Sequence, residues 1–325
     1  ARGGAARGAA ARCRAAEPAE AETSIRRRPP RGIDVHSCGK DVTFEVPVDE
    51  DNKPRNILEE IVWYKNVEVE YMRNHVDLAT LKRKLQVTPP ARDFVGAIRQ
   101  KAAETGKPGL IAEVKKASPS KGVIQPDFDP VRIAMAYEDG GAACLSVLTD
   151  EKYFQGSFEN LTLIRGAGVN CPLLCKEFII EAYQIYKARA SGADAVLLIA
   201  AVLPNTDLQY LMKCAKALGL ATLVEVHTEA ELERVLKLDG LELVGINNRD
   251  LQTFEVSLDI TRQLLSGKLG EEIRERGIIV VGESGIFTPD DVAFVQDAGC
   301  GAILVGESLV KQTDPETGIR NLLSL

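Results

Sequence analysis

Residues 278–306, IIVVGESGIFTPDDVAFVQDAGCGAILVG, contain one complete structural period. An apolar run, Ile278–Glu283, is followed by a turn around Gly285. A stretch with helical spacing, Asp290–Ala298, begins behind Pro289. Proline suits the first turn of a helix, because its fixed φ is already helical and its missing N–H would find no partner there. A second apolar run, Ala302–Val305, ends at Gly306. Runs that are apolar throughout, rather than alternating, are what strands buried on both faces require.

The same period recurs toward the N-terminus. Leu110–Lys115, Cys144–Thr149, Leu173–Lys176, Ala195–Ile199, Thr222–Val226 and Leu243–Asn247 precede the quoted pair, making eight runs whose starts lie 21 to 35 residues apart. Each interval has room for one strand, one loop and one crossover helix, and Thr228 stands where a helix cap belongs. Eight such units predict an α/β fold of the closed (β/α)8 TIM barrel kind. An open doubly wound sheet usually has about five or six strands and a Gly-rich GxGxxG turn after its first strand, and no such turn follows Leu110–Lys115. Val-Gly-Glu-Ser occurs at 281–284 and again at 305–308, as though neighbouring units were variants of one template.

Composition narrows the function. With 325 residues, 45% apolar and 27% charged, the chain is not mainly disordered. Its longest apolar stretch, Ala195–Leu203, has nine residues, against the ~20 of a bilayer span. Net charge is −7, but residues 1–32 hold eight Arg against Glu17, Glu20 and Glu22, so the rest of the chain stands at −12. A body of that sign is not a nucleic-acid binder. Neither nucleic acid nor membrane is therefore expected as a partner.

The Ala- and Arg-rich start, free of acid before Glu17, reads as an organelle transit peptide, with a disordered low-complexity tail as the alternative. The chain is thus expected to divide into a transit peptide or tail over 1–40, an N-terminal helical extension over 41–108 and the barrel over 109–325. Within the extension, Arg55–His75, Asp77–Leu85 and a stretch around Arg92–Glu104 read as helices, forming either a structural cap or a flap over the barrel mouth. The seven Cys lack a CxxC pair and read as reduced core residues. The three His lack metal-ligand spacing, so no metal site of known pattern is expected.

Barrel strands should end apolar unless the C-terminal face holds a site. Here the ends are charged: Glu113 and Lys115, Lys176, Glu225, Asn247 and Arg249, then Glu283 and Ser284. Gly285 and Gly306 follow the last two strands, where backbone N–H groups could cradle a phosphate. Lysines and carboxylates gathered in a low-dielectric pocket suggest proton transfer on a phosphorylated substrate. A lysine beside another cation could instead be a Schiff-base nucleophile, and the residues alone leave both open.

The strings IAEVKKASPSKG at 111–122, VLTDEKYFQGS at 147–157, LLCKEF at 173–178, LVEVH at 223–227, GINNRDL at 245–251 and VGESGI at 281–286 resemble the indole-3-glycerol phosphate synthase family, of the plant or plastid type, over roughly residues 55–312. The resemblance implies a cofactor-free carboxy-lyase of tryptophan biosynthesis. Its substrate would be 1-(2-carboxyphenylamino)-1-deoxyribulose 5-phosphate, and its product indole-3-glycerol phosphate. Carried over by position, Lys176 is the general acid, Lys115 lies beside it, and Glu113 holds both lysines charged. Glu225 becomes the base for dehydration, Asn247 the partner of the ribulose hydroxyls, and Glu283 an organiser of the cluster.

Arg249 and Ser118 would bind the anthranilate carboxylate, Ser284, Gly285 and Gly306 the hydroxyls and phosphate. Phe154, Phe178 and Leu251 would wall the aromatic ring. Glu307 departs from the small residue often found there, and is expected to turn its carboxylate outward while its N–H stays at the site. The segment after Val310 matches only loosely, so the last helix is expected to be unusual. The resemblance further implies a monomer in the chloroplast stroma, with association with other tryptophan-pathway enzymes left open.

Overall fold

The computed structural model describes residues 23–28, 34–38, 41–46, 53–250, 253–312 and 314–325. Eight parallel strands close into the expected barrel: β1 (Gly109–Val114), β2 (Cys144–Leu148), β3 (Leu173–Lys176), β4 (Ala195–Ile199), β5 (Ala221–Val226), β6 (Leu243–Asn247), β7 (Ile279–Glu283) and β8 (Ala302–Val305). Each strand pairs with its predecessor, and β8 returns to β1 with Ala302 opposite Gly109. Burial explains the continuous apolar runs, for every residue of β1, β2, β4, β6 and β8 is buried.

The crossover helices start where their caps dictate. Asp129 accepts from Val131 N and Arg132 N ahead of Pro130–Asp139. Thr228 and Thr288 each form a reciprocal capping box, and Pro289 occupies the first turn of Pro289–Ala298. These caps satisfy N–H groups that have no intrahelical partner. The C-terminal segment does complete a helix, Pro315–Leu323, capped by Asp314 and burying Ile319, Leu322 and Leu323.

Three helices precede the barrel: α1 (Ile57–His75), α2 (Leu78–Leu85) and α3 (Phe94–Thr105). Helix α3 seals the N-terminal end, with Phe94 and Ile98 buried, Ile98 against Gly109 and the Cys144 thiol donating to the Phe94 carbonyl. Helix α1 lies at the opposite end, where Ile57, Leu58 and Ile61 line the cavity at the mouth. Helix α1 is therefore part of the cavity wall at the mouth.

The expected tail over 1–40 is not uniform. Residues 1–22, 29–33 and 39–40 lie outside the described residues, but Asp34–Cys38 pairs antiparallel with Asp41–Glu45, so paired strands flank the expected boundary at residue 40. Residues 23–28 form a strap. Ile25, the one large apolar residue of the first 32, is 6% exposed and belongs to the main core. Ser24 N donates to the Ala201 carbonyl, and Trp63 Nε1 donates to the Arg26 carbonyl at 2.9 Å. Glu59 collects the backbone N–H groups of Arg26 and Arg55 as well as both guanidinium groups. Composition alone hid this docking, because one apolar anchor suffices when a buried carboxylate holds the charges on either side.

Candidate active site

The C-terminal strand ends converge on one cavity. Successive side chains of a strand face opposite ways, so Glu113 in β1 and Lys115 just beyond it point to the same side. Every site residue named from the sequence lines the cavity except Leu251, which lies outside the described residues.

Lys176, the last residue of β3, is the centre. Its Nζ donates to Glu283 Oε2 at 2.6 Å and stands 3.9 Å from both Glu113 Oε2 and Glu225 Oε2. Lys115 Nζ donates to Glu113 Oε1. Two glycines make room for these carboxylates: a Cβ on Gly306 would collide with Glu113, and one on Gly245 with Glu283. Asn247 ties Glu225 to the loops after β6 and β7, its Nδ2 donating to Glu225 Oε1 at 3.1 Å while its Oδ1 accepts from Ser284 Oγ at 2.9 Å and Arg249 N at 3.0 Å. Ser284 adopts φ 64° and Gly285 φ 80°, so a non-glycine residue is held in the left-handed region beside the cavity. Strain of that kind persists only where the surroundings over-determine it.

The electrostatics follow from two ammonium groups facing three carboxylates in a largely buried space. Burial presses Lys176 toward neutrality, but the fields of Glu283, Glu113 and Glu225 outweigh it and hold its pKa above the ordinary lysine range. Burial lifts Glu283 to about 7, with Lys176 opposing and Glu225 adding to the rise. Glu113 goes the other way: burial would raise it, yet Lys115 and Lys176 together keep it low. Lys176 is thus a charged donor, and Glu283 the neighbour that titrates near neutrality. Glu307 lines the rim and turns its carboxylate to Lys311 at 2.7 Å.

Apolar side chains line the same cavity. Phe154 and Phe178 pack with ring centroids 6.0 Å apart. Ile57, Leu58 and Ile61 of α1 and Leu197 and Ile199 of β4 complete this lining, and sequence reasoning missed all five as site residues. Ile57 and Ile61 show a helical face but not what it faces. Leu197 and Ile199 carry no polar mark at all, so only the inward alternation of β4 could have found them.

Fold and site together define a (β/α)8 barrel enzyme with ammonium, carboxylate and apolar side chains gathered in one cavity at its C-terminal end. Residues 58–322 match the family model described as indole-3-glycerol phosphate synthase. The chain is 60% identical over 300 residues to the chloroplastic indole-3-glycerol phosphate synthase of Arabidopsis thaliana, covering 92% of this chain and 74% of that protein. It is 58% identical over 301 residues to the indole-3-glycerol phosphate synthase of Crocosphaera subtropica, covering 92% and 99% respectively. The chain belongs to the indole-3-glycerol phosphate synthase family.

Proposed function

We infer that this protein closes the pyrrole ring of 1-(2-carboxyphenylamino)-1-deoxyribulose 5-phosphate, releasing CO₂ and water to give indole-3-glycerol phosphate, a carboxy-lyase step of tryptophan biosynthesis. One observation carries the assignment of roles: Lys176 lies within 3.9 Å of three carboxylates at the mouth of a cavity that Phe154 and Phe178 also line. Lys176 donates its proton to the ketone oxygen as the ring carbon attacks. A forming alkoxide is a stronger base than any lysine amine, so the transfer runs downhill even from a lysine with raised pKa. Breaking the ring–carboxylate bond then releases CO₂ and returns its electron pair to the ring, which restores aromaticity. Glu225, held by Asn247, takes a proton from the ring methylene as the C–O bond breaks, and Lys115, the second ammonium of the cavity, gives its proton to the departing hydroxide to form water.

Ser284, Gly285 and Gly306 serve the phosphate and hydroxyls, Arg249 and Ser118 the carboxylate. The test is incubation of the chain with the carboxyphenylamino sugar phosphate while following appearance of the indole chromophore, beside Lys176→Ala and Glu225→Gln. Parental turnover in both variants would contradict these roles.

We place the protein in the chloroplast stroma, acting as a monomer on its phosphorylated substrate. The Arg-rich, acid-poor start and the chloroplastic relative support the location. Fusion of residues 1–40 to a fluorescent protein tests it, cytosolic signal being the adverse result. Gel filtration, alone and with other enzymes of the pathway, tests the assembly state.

A further inference from the structure

Helix α1 carries a second charged cluster, which no step above uses. Lys65 is 1% exposed, and its Nζ lies 2.5 Å from Glu68 Oε2, 2.8 Å from Asp150 Oδ2 and 2.9 Å from Glu177 Oε1. Stability gives little reason for such a cluster, since apolar residues of the same volume commonly serve as well or better. Lys65 itself does not line the cavity, but both of its loop partners act on residues that do.

Asp150 Oδ1 accepts from Tyr153 N at 2.8 Å and Phe154 N at 3.3 Å, setting the turn that presents Phe154. Glu177 follows Lys176 directly; its Oε1 accepts from Phe178 N at 2.8 Å and its Oε2 from Thr149 Oγ1 at 2.9 Å. One ammonium on α1 therefore joins the loops after β2 and β3; these present Phe154 and Phe178 and adjoin Lys176, the last residue of β3. Burial would discharge Lys65, but Glu177, Asp150 and Glu68 outweigh it and keep the charge in place.

We propose that Lys65 is a positioning residue for the reaction: by clamping Asp150 and Glu177 it holds the Lys176 end of β3 and the Phe154–Phe178 wall in register with α1. The proposal rests on Lys176 acting on substrate in this cavity. Without the ammonium the charge that draws Asp150 and Glu177 together is gone; burial and Asp150 raise Glu177 further, so it repels Asp150 or takes a proton, and either way the two loops lose their common anchor on α1. A displacement of the order of 1 Å can cost about 100-fold in rate. The loss falls on kcat more than KM, because Lys176 acts on charge that develops only in the transition state, whereas most of the apolar wall stays.

The test uses the full chain. Trp63 is the chain's single tryptophan, 1% exposed and two residues from Lys65, so its emission without substrate reports whether α1 remains seated. Lys65→Met, assayed well below its own melting temperature, is expected to lose about 30- to 100-fold in kcat, with KM within about threefold and Trp63 emission unchanged. Parental kcat with native emission overturns the proposal. Should Lys65→Met lose the native emission, Asp150→Asn and Glu177→Gln decide, since each keeps Lys65 and weakens one arm of the clamp. A loss of about tenfold in kcat is expected from each, and parental kcat in both overturns the proposal. Failure of the underlying reading looks different: the unaltered chain would not turn over the substrate, which removes both.

Discussion

Lys176 and Glu283 behave as one unit, because a carboxylate 2.6 Å from a buried ammonium sets how firmly that ammonium keeps its proton. Lys176→Ala is expected to lower kcat by about 10³-fold or more and Glu225→Gln by about 10²-fold, the range usual for positioned acids and bases, both read from steady-state turnover. Glu283, lifted to about 7, takes a proton as pH falls through that value and loosens its hold on Lys176. Activity should therefore decline on the acid side of about 7, and Glu283→Gln should show a lower plateau without that limb. A Glu283→Gln profile identical to the parent's would refute the coupling. Gly245→Ala tests the space rather than the charge: its methyl group would displace the Glu283 carboxylate. We expect turnover to fall about tenfold or more with the fold intact by circular dichroism.

The N-terminal strap and α1 form an element whose order depends on Glu59. Burial would raise the Glu59 pKa, but hydrogen bonds from Arg55 and Arg26 win and depress it from 4.5 to about 2. A depressed carboxyl stabilises the fold above its unfolded pKa, and that stability disappears as pH falls from about 4.5 toward 2. The arginines are 41% and 53% exposed, so solvent screening reduces the gain to about 1–2 kcal/mol. Urea unfolding at pH 7 should show Glu59→Gln less stable by that amount, the difference shrinking toward pH 2; a difference independent of pH would point to packing instead. Little of this element was legible. An Arg-rich stretch matches a leader by composition, and nothing local marks Arg26 as a partner of Glu59 across 33 residues. Helix α1 itself was legible from Ile57, Ile61, Tyr64 and Tyr71, but the spacing of a face does not say that its first turns border the cavity and its middle grips two loops.

Across the whole molecule the two barrel ends divide the labour. At the N-terminal end Asp194 pairs with Arg165 and accepts from Leu173 N and Arg92 N, each at 2.8 Å, far from the chemistry. Asp194→Asn is expected to cost about 3 kcal/mol in denaturant unfolding, as breaking a buried pair does, and to leave kcat unchanged at temperatures where the variant is folded. A fall in kcat matching that of Lys176→Ala would argue against the division. The eight strands were legible because a parallel barrel buries both faces of each, leaving unbroken apolar runs. The charged residues at their ends were legible for the same reason, as interruptions such as Glu113, Lys176 and Glu225. Inward-facing Leu197 and Ile199 looked like any other core residue. Closure has one further consequence. With β8 returning to β1, the barrel leaves no rim of unpaired backbone on which a foreign strand could template. Loops at the mouth can be remodelled, or locally melt, without freeing the edges of the barrel strands themselves, so a variant that ruins the cavity should remain dispersed in solution.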